Sequence, residues 1–166
     1  MDQPQLNWIA NYIWGIADDV LRDLYVRGKY RDVILPITVL RRLDSLLEPT
    51  KPAVLDMKAT LDRAGIVNQD QALRQAAGQA FYNTSRFTLR DLRARASQQQ
   101  LKADFEAYLE GFSSNVQDIL EKFEFRNQIP RLSKADALGS LIEKLVSPDI
   151  NLGPNPVYNR GSAAGA

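Results

Sequence analysis

A single all-α helical bundle with a short irregular C-terminal tail is the fold this sequence predicts. Apolar residues recur at steps of three and four along most of the chain. Proline, glycine, serine and threonine punctuate those runs at intervals suited to helix ends. No stretch alternates convincingly as a strand outside short ambiguous runs such as Ile150-Asn151-Leu152.

Leu6, Ile9, Ile13, Ile16, Val20 and Leu24 share one face of a first helix expected to end near Gly28. Val33, Ile37, Leu40, Leu43 and Leu47 follow the same period in a second helix. Pro36 must sit in its first turn or kink it, and Pro49 should stop it. Thr50 is an expected N-cap for a third helix that carries Val54, Met57 and Leu61 and closes at Gly65. A short helix is expected over 70–80, then a loop at Asn83-Thr84-Ser85, then another short helix capped by Thr88.

Ser97 precedes a run in which Leu101, Phe105, Tyr108, Leu109 and Phe112 form a large apolar stripe. Gly111 interrupts it and Ser114 restarts it with Val116, Ile119, Leu120 and Phe123. The aromatic members are read as core. Ser133 with Asp136 three residues on resembles a capping box for a last helix through Leu138, Leu141, Ile142 and Leu145, which Pro148 ends. Residues 1–148 are thus one helical domain. Residues 149–166, ending Gly-Ser-Ala-Ala-Gly-Ala, read as a linker or as a truncated or appended tail.

The composition restricts chemistry more than it restricts fold. Among 166 residues there is no cysteine and no histidine, which removes disulfides, thiolate nucleophiles, most zinc sites and the usual general base. The nine glycines are scattered singly, so no glycine-rich phosphate loop is present. Carboxylates alone can hold a metal, but Asp18-Asp19 and the stretch from Asp44 to Glu48 read as exposed helix faces without further ligands. Asn155-Pro156-Val157-Tyr158 is similar to the loop with which amino-methyltransferases hold a flipped base. Val157 stands where that loop has a second proline, and no apolar strand delivers it, so it reads as an ordinary turn. No catalytic, cofactor-binding or metal-ligating residue is therefore assigned, and the chain by itself is read as a binding domain. No apolar run approaches the ~20 residues that span a bilayer, and no leader precedes Leu6, so no membrane partner is expected and the location is read as cytoplasmic.

Net charge is only +1, but it is unevenly placed. Between residues 22 and 42, Arg22, Arg27, Lys29, Arg31, Arg41 and Arg42 face Asp23 and Asp32, a balance of +4. Between 84 and 95, Arg86, Arg90, Arg93 and Arg95 face only Asp91, a balance of +3. The segment 104–124 runs to −5. This segregation predicts one basic and one acidic face, and a basic helical face is the usual footprint of phosphate binding. The competing reading is that these arginines pair with acidic neighbours or cover apolar surface with their stems.

The run Leu6-Asn7-Trp8-Ile9-Ala10-Asn11-Tyr12-Ile13-Trp14 leads through Ala17-Asp18 and Leu21-Arg22 to Tyr30-Arg31-Asp32-Val33-Ile34-Leu35-Pro36 and Val39-Leu40-Arg41-Arg42-Leu43-Asp44. Phe81-Tyr82-Asn83, Tyr108-Leu109-Glu110-Gly111-Phe112-Ser113, Asn115-Val116 and 119–125 follow at matching spacing. These segments closely resemble the N-terminal helical domain of the modification subunit of type I restriction-modification systems. The resemblance implies a parent enzyme that transfers a methyl group from S-adenosylmethionine to adenine N6 in DNA. It also implies partners: a specificity subunit, a second modification subunit and, for cleavage, a motor-nuclease restriction subunit. The family's catalytic core follows this helical domain and is absent here.

Combined with the charge pattern, the resemblance makes the leading expectation a DNA-clamping and subunit-docking domain. Arg41, Arg42, Arg86, Arg90, Arg93 and Arg95 are its candidate contacts to DNA phosphates, without sequence preference. Trp8, Tyr12 and Trp14 are read as core or subunit interface rather than base-stacking groups. The alternative is a helical module that docks only to protein.

Overall fold

The computed structural model describes residues 3–96 and 99–147, together with the backbone of 150–151 and 157–158. It is helical, as expected. Helix α1 (Gln3–Leu21) buries Ile9, Ile16, Ala17 and Leu21 but leaves Leu6 and Trp14 about half exposed. It ends well before Gly28. The carbonyl of Leu21 takes hydrogen bonds from the N–H groups of both Leu24 and Tyr25, which tightens the chain into a turn, and a 3₁₀ turn (Arg27–Lys29) follows. Tyr25 and Tyr30 are buried at either side of that turn.

Helix α2 (Arg31–Leu47) buries Val33, Ile34, Ile37, Leu40 and Leu47. Pro36 lies inside the helix, beyond the first turn, so the Asp32 carbonyl lacks its usual helical donor. Pro49 ends the α-helix, but the chain does not turn away. A 3₁₀ turn (Glu48–Thr50) leads straight into α3 (Lys51–Arg63). Thr50 makes no side-chain cap; its hydroxyl donates instead to the Ala77 carbonyl at 2.8 Å. Gly65 closes α3 as expected. At φ +71° it lets its own N–H and that of Ile66 reach the Asp62 and Leu61 carbonyls. Helix α4 (Asp70–Ala77) packs on α3 and ends at Gly78, φ +68°, earlier than the expected residue 80.

Helix α5 (Leu89–Ala94) starts at the expected cap: Thr88 Oγ1 accepts from the Asp91 N–H, and the Asp91 carboxylate accepts from the Thr88 N–H. Helices α6 (Leu101–Glu110) and α7 (Ser114–Lys122) meet at Gly111, and Ser97 lies outside the described residues. Phe105, Tyr108, Leu109 and Phe112 are core, with Phe105 edge-on to Phe125 at 6.2 Å. The apolar face does not continue through Ile119, which is exposed, because α7 turns Val116 and Leu120 inward.

The capping box expected at Ser133 and Asp136 is absent. Ser133 sits inside α8 (Ile129–Lys134), and Asp136, at φ +58°, ends that turn by donating its N–H to the Ser133 carbonyl. Helix α9 (Ala137–Leu145) then buries Leu138, Leu141, Ile142 and Leu145 between α1, α5 and α8. In the tail, β1 (Ile150–Asn151) pairs antiparallel with β2 (Val157–Tyr158), which lies near α1. Asn155, Pro156 and Pro148 lie outside the described residues. No helix among the described residues is long and apolar enough to cross a membrane.

Candidate nucleic-acid interface

The segment that carries the second arginine cluster is anchored from beneath by buried polar groups. Asn83 is 3% exposed and bridges to Phe112, while Thr84 N–H donates to the Gly111 carbonyl at 2.8 Å and Ser113 N–H to the Tyr82 carbonyl at 3.0 Å. The Asn83 side chain donates to the Tyr108 carbonyl at 2.9 Å. Its Oδ1 accepts from Lys51 Nζ at 2.8 Å, from Ser85 N–H at 2.8 Å and from the Ser85 hydroxyl at 2.6 Å. A buried amide with this many partners fixes a loop without regular structure. Only glycine fits opposite it, because a Cβ on Gly111 would stand 2.6 Å from the Ser85 nitrogen.

Asp44 holds the next step of the chain. It reads from the sequence as a solvated carboxylate, but it is 4% exposed, with Oδ1 accepting from the Leu89 N–H at 3.1 Å and from the Tyr108 hydroxyl at 3.0 Å. Burial raises its pKa, opposed by those two donors and by the Arg41 charge. Burial also pushes Lys51 down to about 8, with Asp44 and Asp91 pulling the other way, and drives Tyr108 well above the ordinary tyrosine value. This buried group of charges joins α2, α3, α5 and α6.

The six candidate arginines separate on this frame. Arg41 is not on the surface: it is 7% exposed, donates from Nε to the Leu145 carbonyl at 3.0 Å, and bonds Ser45. It braces α2 against the end of α9, and burial lowers its pKa. Arg42 is half-buried. Arg95 is paired at 3.0 Å with Asp104, itself buried, and its guanidinium lies 5.3 Å from the Phe87 ring centre. Arg86 lies over the same ring at 4.7 Å and is exposed. Arg90 and Arg93, three residues apart on α5, are both exposed. Arg90 pairs with Glu48 at 3.0 Å, and Arg93 has no carboxylate partner among the described residues.

Segment charge is therefore not face charge. Asp104, counted with the acidic segment, neutralises Arg95, and Glu48 neutralises Arg90. What remains open is Arg86 and Arg93, carried on a segment whose backbone is fixed by Asn83 and Asp44. Such guanidinium groups bind phosphate oxygens. No group of acidic residues among the described ones could hold a metal ion.

Sequence reasoning missed Glu48, Lys51, Asn83 and Asp104. The spacing of Arg41, Asp44 and Glu48, at i, i+3 and i+7, was the available signal that α2 turns a charged face toward another element. Trp14, read as core or interface, is 45% exposed and so is not core, while Trp8 stacks on Tyr12 at 5.0 Å.

The chain matches no curated protein and no solved structure. Its residues 9–145 match the HsdM N-terminal domain. The match covers most of the chain, nearly the whole helical body, and the chain belongs to that family: it carries the N-terminal domain of the modification subunit of a type I restriction-modification system.

Proposed function

We propose that this domain clamps DNA by its phosphates and docks to neighbouring subunits of a type I adenine-N6 methyltransferase. The observation that carries the DNA part is the pair Arg86 and Arg93: both are exposed, neither has a carboxylate partner among the described residues, and both stand on a segment pinned by buried hydrogen bonds. Arg90, on the same helix as Arg93, and Arg42, on α2, are secondary contacts, and Arg95 supports the Phe87 ring. Contacts of this kind set affinity and orientation but carry no sequence information, so the recognised site is left to a specificity subunit.

In this reading the parent enzyme transfers the methyl group of S-adenosylmethionine in the cytoplasm, and this chain supplies neither cofactor contacts nor catalytic groups. The docking part rests on α1, where Leu6, Ala10 and Trp14 form an exposed stripe at four-residue spacing. That stripe suits a second modification subunit or the specificity subunit, not phosphate. The motor-nuclease subunit joins only the complete assembly.

Titrating the chain with a plain duplex at rising salt tests the DNA part. Binding at Kd ~10⁻⁴–10⁻⁶ M that weakens steeply with salt supports phosphate neutralisation. Absence of binding at low salt favours the alternative of a module that docks only to protein.

A further inference from the structure

The ion pairs of Arg90 and Arg95 look alike in distance and differ in everything else. Arg95 meets Asp104, whose side chain is 7% exposed, so releasing the arginine would leave a carboxylate in a dry environment. Arg90 meets Glu48 with side chains 67% and 36% exposed. It uses Nε alone, which leaves both terminal amino groups of a largely exposed guanidinium without a hydrogen bond among the described residues. A pair this open contributes little to stability, and water already solvates both partners when it breaks.

Arg90 also sits three residues from Arg93 on the same exposed side of α5, so a phosphodiester held by Arg93 lies within reach of Arg90. We propose that Glu48 is a built-in competitor for DNA phosphate: it occupies Arg90 in the free protein and gives it up to the DNA backbone on binding. The inference rests on the DNA-contact reading of α5 given above. Glu48 thereby lowers the domain's affinity for any duplex, because Arg90 must leave its carboxylate before it can hold a phosphate. A domain that must let go of nonspecific DNA gains from such a restraint.

The test is a double-mutant cycle on the 166-residue chain, read by fluorescence anisotropy with one labelled duplex at several salt concentrations. Glu48→Gln should tighten binding about two- to fivefold, the range an exposed ion pair represents. The slope of log affinity against log salt should change by less than about one, because Arg90 ends on a phosphate in both proteins. In an Arg90→Gln background the same Glu48→Gln change should gain nothing. A gain of equal size in both backgrounds overturns the proposal, since any removed negative charge would then do the same. So does no gain at all. Arg93→Gln, measured alongside, separates this from the underlying reading. If it weakens binding while Glu48→Gln fails, only the competitor role falls. If Arg93→Gln binds as well as the parent chain, the DNA reading itself falls and takes the competitor with it. Thermal melts of all variants confirm that the fold is intact.

Discussion

Asp44 and Leu89 are 45 residues apart in the chain, yet the Asp44 carboxylate accepts the first N–H of α5 at 3.1 Å. The same oxygen takes the Tyr108 hydroxyl at 3.0 Å, so one buried side chain on α2 sets both the start of the arginine-bearing helix and the position of a core tyrosine. Its second oxygen, Oδ2, is buried without a hydrogen-bond partner among the described residues. Asp44→Ala removes the acceptor from two buried donors and should cost about 2–4 kcal/mol in urea denaturation. Asp44→Asn keeps an acceptor at Oδ1, and since burial already disfavours the charge, it should cost about 1 kcal/mol or less. Equal losses for the two variants would show that charge, not hydrogen bonding, is what the site needs.

Lys51 gives the fold a pH dependence of known sign. Its folded-state pKa is depressed by burial from 10.5 to about 8. Between those values the unfolded chain binds the proton and the folded chain does not, so stability contributed at this position rises with pH there and is lost as pH falls through about 8. The stability difference between the parent chain and Lys51→Met should therefore move in favour of the parent from about pH 7.5 to about pH 9.5. Denaturant midpoints of the pair across that range check it. A level or falling difference contradicts the buried position of this ammonium group.

Two glycines should respond to alanine in opposite directions. Gly15 lies in the exposed middle of α1 with nothing within 4 Å of the place a Cβ would take, so Gly15→Ala should stabilise by about 0.5–1 kcal/mol. Gly111 faces the Ser85 backbone nitrogen and Asn83 Oδ1 at 2.6 and 2.8 Å, and Gly111→Ala should cost about 1–3 kcal/mol by forcing that loop away. Calorimetric melting temperatures read both. A neutral Gly111→Ala would mean that the loop carrying Arg86 is not pinned from below.

The helices were legible because their signals are local. The Thr88 cap, Gly65 and the stripe from Leu101 to Phe112 all act within a few residues, and each stands where the sequence puts it. The failures have a common cause in tertiary contacts. Thr50 abandons capping for the Ala77 carbonyl, Asp44 is drawn inside by Leu89 and Tyr108, and Arg41 is drawn inside by Leu145. Each partner lies at least 27 residues away, beyond any helical period. The arginine cluster was visible as composition, but which members stay open was not, because Glu48 reaches it from the turn after α2 and Asp104 from α6.

The central claim is that Arg86 and Arg93 contact DNA phosphates. It is tested most directly by the Arg86→Gln/Arg93→Gln double variant in the complete subunit, assembled with its specificity subunit and titrated with two duplexes of unrelated sequence between 50 and 200 mM salt, a range over which several phosphate contacts lose about 10³-fold or more in affinity. Both duplexes should be bound more weakly by a similar factor, the salt slope should flatten by about two, and the recognised site should stay the same. An unchanged affinity and slope in a correctly assembled complex would contradict it and leave protein docking as the work of this face.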